Sequence, residues 1–209
     1  MKKVFFLIWE NPSSHQIILP IIKRFSKFSE VFLFSSLNKN IEFLDKKDSN
    51  FSKYCKHKKI PYFENLGFIN KLSLFYFLTI SFIYIIHNKP KYVYILNKYP
   101  LILTFLIKLF SRTKIIYHNL DYDPFCDGFF QKILKKIEFK SIKFLDLLIF
   151  SHKLRAKRFL KDSKNKKKFI VFYNSLPKDF YIKYKKKKCT NWKKEIILFW
   201  VYRSWSWTI

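Results

Sequence analysis

Apolar residues along this chain gather in short continuous runs, and between the runs they recur at helical spacing. The first run covers residues 3–9. Unbroken apolarity over so short a stretch marks a strand buried on both faces, as in a parallel sheet. The run is shorter than a signal-peptide core, and no small-residue cleavage site follows it. Turn residues fill positions 10–14, and then Ile17, Ile18, Ile21, Ile22, Phe25 and Phe28 line one helical face. Pro20 lies inside that pattern, so the helix either starts there or kinks. Further strands are predicted at 31–34, 60–64, 92–96, 114–117, 147–150 and 169–172, and helices at 71–87, 101–110 and 153–163. Phe130, Ile133, Leu134, Ile137, Ser141, Phe144 and Leu145 set the face of one more helix over 129–145, with its lysines mostly off that face. Short apolar strands alternating with helices predict an α/β fold, a Rossmann-like parallel sheet flanked by helices and joined by right-handed crossovers.

Three segments change the picture. Residues 72–86 carry no charge. A spanning helix needs about 20 apolar residues, and this run is shorter and holds Ser73, Thr79 and Ser81. The pattern alone leaves two readings open, a buried or interfacial helix and a membrane span. Over residues 151–194, Lys and Arg crowd the chain against only Asp162 and Asp179. Residues 183–195 there read as a basic linker after a domain of residues 1–182, and the apolar run 196–199 opens a second domain.

The tail does not fit that opening. Trp200, Trp205 and Trp207 lie in a peptide with no turn, cap or period. Tryptophan has the single codon TGG, and a one-base shift turns each TGG into a glycine codon. In that frame the strand at 196–199 runs into a glycine-rich turn, as a phosphate-handling α/β domain requires. Residues 196–209 are therefore expected to be the start of a truncated second domain with an out-of-frame tail. The alternative is a native aromatic peptide that docks on a partner or a membrane.

Composition narrows the chemistry. The 209 residues hold 42 Lys+Arg against 14 Asp+Glu, a formal net charge of +28, with 26 Phe, 13 Tyr and only 2 Gly. At 49% hydrophobic residues the chain is too apolar for a disordered basic tail. Two glycines exclude a Gly-rich phosphate loop in this frame. Cys55, Cys126 and Cys189 form no CxxC pair, which argues against disulfides and structural zinc and for a reducing compartment. The lysine surplus fits an anionic membrane surface. An A/T-rich genome would inflate the same residues, since Lys, Phe, Ile, Asn and Tyr have A/T-rich codons. Nucleic acid is a poorer partner, because Phe and Tyr fall in buried-type runs and not beside lysines in a stacking pattern.

Four pieces, in order, resemble the N-terminal domain of a family-4 type GT-B glycosyltransferase. They are Lys89 to Tyr94, Lys114 to Asn119, Asp146 to Ser151, and Val171 to Asn174 followed by Pro177 and Phe180. Two departures stand out: Lys91 replaces the usual Asp, and the loop 10–14 has no glycine. The resemblance implies the N-terminal half of a GT-B fold. It also implies sugar transfer from a nucleotide-activated donor to a glycan or lipid-linked acceptor in cell-surface polysaccharide synthesis, with no cofactor and no metal. In that family the donor binds mainly to the second domain, so a chain lacking it is expected to be inactive alone. The implied location is cytoplasmic, with peripheral contact on the inner face of the plasma membrane. The basic helix over 129–145 is a candidate for that contact, beside its plainer reading as a sheet-packing helix. The competing class is a non-enzymatic basic membrane-associated protein anchored by residues 72–86.

Candidate site residues follow. His118 ends a central strand, where open parallel sheets bind ligands. The resemblance makes it the catalytic-site histidine that faces the reacting sugar. Asp121 and Asp123 are candidates for acceptor hydroxyls, although Asp before Pro124 is equally a turn signal. Ser13, Ser14 and His15 are acceptor candidates whose plainer role is to cap the following helix. Ser151, with His152 after it, ends another strand near the same cleft, and Asn174 is read as structural.

Overall fold

Residues 2–12, 15, 17–38, 51–62, 67–120 and 128–172 are described by the structure, a computed structural model of the chain. Seven strands form one sheet, β1 (Lys2–Ile8), β2 (Ser29–Asn38), β3 (Lys56–Tyr62), β4 (Tyr92–Ile95), β5 (Lys114–Asn119), β6 (Leu147–Phe150) and β7 (Ile170–Val171). Their order is β3-β2-β1-β4-β5-β6-β7, and every pairing is parallel. The helices are α1 (Ile18–Phe25), α2 (Gly67–Asn88), α3 (Thr104–Phe110), α4 (Phe129–Ser141) and α5 (Lys153–Asp162). The architecture is the α/β Rossmann-like sheet that the alternation predicts.

β1 shows why its sequence is continuously apolar. Phe5 and Leu7 enter one core, Val4, Phe6 and Ile8 enter the other, and all five are fully buried. Each such side chain is worth about 1.5–3 kcal/mol when buried, so this strand anchors both faces. The first core receives Phe77 and Ile85 of α2, Ile107 of α3 and Phe159 of α5. The second receives Ile18 and Ile22 of α1, with Phe51 and Cys55.

Several boundaries move for physical reasons. Pro20 falls in the first turn of α1, where its missing N–H costs nothing, so the helix starts there without a kink. β3 begins at Lys56, ahead of the expected residue 60. It is the edge strand of the sheet, and lysines on an edge discourage pairing with other chains. β5 runs on through His118 and Asn119. Pro100 sets a 3-10 turn over Tyr99–Leu103 before α3. The buried stripe of α4 is Leu134, Glu138 and Ser141, so Phe130 and Ile133 are exposed instead of facing the sheet.

Glycine scarcity shows in the helix ends. α5 closes with Asn165 N–H donating to the Leu160 carbonyl at 2.9 Å, and the residue in the left-handed conformation is Lys164, φ 51°. That position usually holds glycine. Lys89, φ 44°, occupies the same kind of position after α2.

Candidate functional site

The strand order reverses direction between β1 and β4, and ligands of open α/β sheets bind at the C-terminal strand ends beside such a switch. Here the two loops are tied together. The Trp9 backbone N–H donates to Asn97 Oδ1 at 3.3 Å. In the loop after β1, the His15 ring reaches back to Glu10, with Nε2 2.6 Å from Oε2.

His118 sits inside β5, one row from its end, and is fully buried on the α1 side. Its Nδ1 lies 2.8 Å from the Tyr94 hydroxyl. Burial, and secondarily the nearby charge of His15, pushes the imidazole down to about 4, so it is neutral at pH 7. Burial also raises the Tyr94 phenol, which therefore keeps its proton. A phenol that donates to Nδ1 fixes the tautomer with hydrogen on Nε2. The opposite tautomer would leave both the phenol proton and Nε2 unspent. Nε2 has no hydrogen-bond partner among the described residues. The arrangement is a preset neutral donor near the C-terminal end of β5, with Phe172 edge-on to the ring at 6.3 Å between centroids.

Ser151 is not free. Its hydroxyl donates to the Leu120 carbonyl at 2.8 Å, and Arg155 Nη1 donates to the same oxygen at 3.0 Å. Together they brace the ends of β5 and β6. His152 caps α5, its Nδ1 accepting from the Leu154 N–H at 3.2 Å. The capping role expected of His15 is corrected: α1 has no side-chain cap, because the His15 ring is turned toward Glu10. Ser13, Ser14, Asp121, Asp123 and Asn174 lie outside the described residues, as do the linker and the tryptophan-rich tail.

A buried polar cluster on the other face of β5 escapes a reading of the sequence. Tyr117 donates its hydroxyl proton to Glu138 Oε1 at 2.5 Å, and Asn119 Nδ2 donates to the same oxygen at 2.9 Å. Burial is the main cause that raises the Glu138 carboxyl above its usual range. The available signal was spacing: Glu138 is four residues after Leu134 and three before Ser141, on the stripe that packs inward. Among the described residues no three His, Cys, Asp or Glu side chains gather as a metal site.

Solved structures share this fold. UDP-GlcNAc 2-epimerase from Neisseria meningitidis, bound to UDP-GlcNAc, superposes with a TM-score of 0.58 at 12% identity, over 93% of this chain and 52% of that one. HepE from Anabaena, in complex with UDP and glucose, gives 0.57 at 13% identity, over 87% and 46%. The apo lipopolysaccharide outer core galactosyltransferase WaaB gives 0.53 at 13%, over 83% and 46%. The fold is the N-terminal half of a GT-B fold. This GT-B half spans about half the length of the structures it matches. At these identities the likeness speaks for the fold alone. No protein-family model and no curated protein matches the GT-B half by sequence.

Proposed function

We propose that this GT-B half is the acceptor-side part of a family-4 type glycosyltransferase. It would move a sugar from a nucleotide-activated donor to a hydroxyl of a glycan or lipid-linked acceptor in cell-surface polysaccharide synthesis. The observation that carries the reading is His118, a neutral buried imidazole at the end of a central strand with Nε2 unspent. In that role its Nε2–H donates to an oxygen of the reacting sugar, and Tyr94 holds the ring in place. Glu10 and His15 line the acceptor side. HepE is seen in complex with UDP and glucose, which is consistent with a nucleotide-sugar donor, and WaaB is a lipopolysaccharide outer core galactosyltransferase.

Donor binding would fall to a second half encoded in the shifted frame near residue 199. The protein would act in the cytoplasm and attach peripherally to the inner face of the plasma membrane. The competing reading, an anchor over residues 72–86, is disfavoured. α2 is the crossover between β3 and β4, and Phe77, Ser81 and Ile85 are fully buried against the sheet. By length and composition alone it could cross a membrane, but doing so would strip that core.

The test is a gene with the frame restored at residues 199–200. Its product should release nucleotide from a nucleotide sugar only when acceptor is present. His118→Ala should lower turnover by about 100-fold, within the usual range for loss of a positioned proton donor. A shifted frame that stops at once, or a product that epimerises the nucleotide sugar without transferring it, would sink the reading.

A further inference from the structure

At the N-terminal ends of the central strands β4 and β5, away from the strand ends near His118, a groove of about 700 Å³ opens between the ends of α2 and α3. Lys89, Lys91, Arg112 and Lys114 line it, with Leu109 and Phe110. The groove has a braced floor. Thr113 Oγ1 donates to the Pro90 carbonyl at 2.8 Å, and Lys108 Nζ donates to the Thr113 carbonyl at 3.0 Å. Lys108 also pairs with Asp146 at 2.6 Å, which occupies the acid nearest these cations. No acidic side chain pairs with the four lining cations among the described residues. The sequence explains why: no Asp or Glu occurs between Glu64 and Asp121.

The groove continues into an apolar face. α2 and α3 lie side by side, with the Phe82 and Phe110 rings 6.0 Å apart. Phe75 of α2 is 69% exposed, and Leu109 and Phe110 of α3 are each 61% exposed. Leu72 and Tyr76 of α2 and Phe105 of α3 are exposed as well. A large exposed apolar patch on a soluble fold marks an interaction site. This one has cations at its end and no carboxylate of its own. A partner must therefore offer hydrocarbon and fixed negative charge together.

We propose that the α2–α3 face lies on an anionic lipid bilayer, with lipid phosphates in the Lys89–Lys114 groove and Phe75, Leu109 and Phe110 in the acyl boundary. The buried side of α2 stays in the core, so the helix lies in the interface plane and does not cross it. The inference rests on the peripheral-attachment reading above and assigns its surface, which differs from the 129–145 helix that the sequence pointed to.

The experiment is co-sedimentation of the full chain with vesicles of phosphatidylcholine, with and without phosphatidylglycerol. Binding is expected only with the anionic lipid. Lys89→Glu with Arg112→Glu and Lys114→Glu should weaken it by about 100-fold, since each surface cation contributes a comparable electrostatic increment. Phe75→Ser with Leu109→Ser should weaken it by about tenfold or more. Lys89→Arg with Lys114→Arg should bind like the parent, which keeps the result separate from misfolding. Lys157→Glu with Lys161→Glu and Lys164→Glu makes the same charge change on α5 and the turn after it and should leave binding near parental. Absence of binding to any vesicle overturns both this inference and the peripheral reading. Binding that the α5 variant weakens equally overturns the surface assignment alone. So does full displacement by excess glycerol phosphate, or loss of a dimer in the Phe75/Leu109 variant in place of vesicle binding.

Discussion

Two imidazoles, His118 buried and His57 half-buried, give the fold an acid limit. His118 is pushed down to about 4 by burial and by His15, and His57 to about 4 by burial and by Lys59. In an unfolded chain the imidazole titrates near about 6.5. Between those values the unfolded chain takes up protons that the folded chain refuses, so stability falls as pH drops from about 6.5 toward 4. Thermal melts across that window should show a steep loss of Tm, and a flat profile would contradict the burial of both rings. Glu138 has the opposite sign. Its carboxyl is raised by burial, so the folded chain holds a proton that the unfolded chain gives up, and stability falls as pH rises above the usual carboxylate range. Glu138→Gln should therefore raise stability at neutral pH and remove this loss with rising pH, read from urea melts. Glu138→Leu leaves the Tyr117 hydroxyl and the Asn119 amide without their shared acceptor, and should cost on the order of 2 kcal/mol or more. Sequence alone exposed His118 as a strand-end histidine. Its partner Tyr94 stayed hidden, because the two meet only when β4 and β5 adopt one particular register.

At the scale of elements, α2 carries the clearest division of labour. Phe77 is fully buried and packs edge-on against Trp9 at 5.1 Å between ring centroids, while Phe75 stands in solvent. Phe77→Ala should cost about 3–5 kcal/mol, and Phe75→Ser should leave the unfolding midpoint nearly unchanged. Equal effects would mean that α2 is not seated on the sheet. The same element shows what a sequence can and cannot disclose. β1, β4 and β6 were legible to within about a residue because burial on both faces writes an unbroken apolar run. β3 was half hidden, since its first residues, Lys56 to Lys59, serve an edge and carry no apolar signal. α4 was legible as a helix and only partly in its rotation, since Leu134 and Ser141 of the expected face are buried and Phe130 and Ile133 are not. The hydrophobic residues suggested one face, and the sheet took the face that lets Glu138 meet Tyr117 and Asn119. Left-handed lysines at 89 and 164 were also invisible, because the usual sign of such a helix end is a glycine.

On the scale of the whole molecule, the sheet keeps the two proposed sites apart. Its C-terminal strand ends hold His118 and the Glu10–His15 loop, and the N-terminal ends of β4 and β5 hold the cationic groove. The α2–α3 layer runs between them along one face. The all-parallel pairing has a further consequence, in time. No strand of this sheet can form a hairpin with its neighbour in sequence, and β1, made first, sits in the middle. Val4 finds its β2 partner Val31 early but must wait for Tyr92 to close its other side. At synthesis rates of about 5–20 residues per second, that edge stays open for roughly 3–12 s. During those seconds a strand with five fully buried apolar side chains presents an unpaired edge to other nascent chains, so folding yield in the cell should depend on crowding on the ribosome as well as on the stability of the finished sheet.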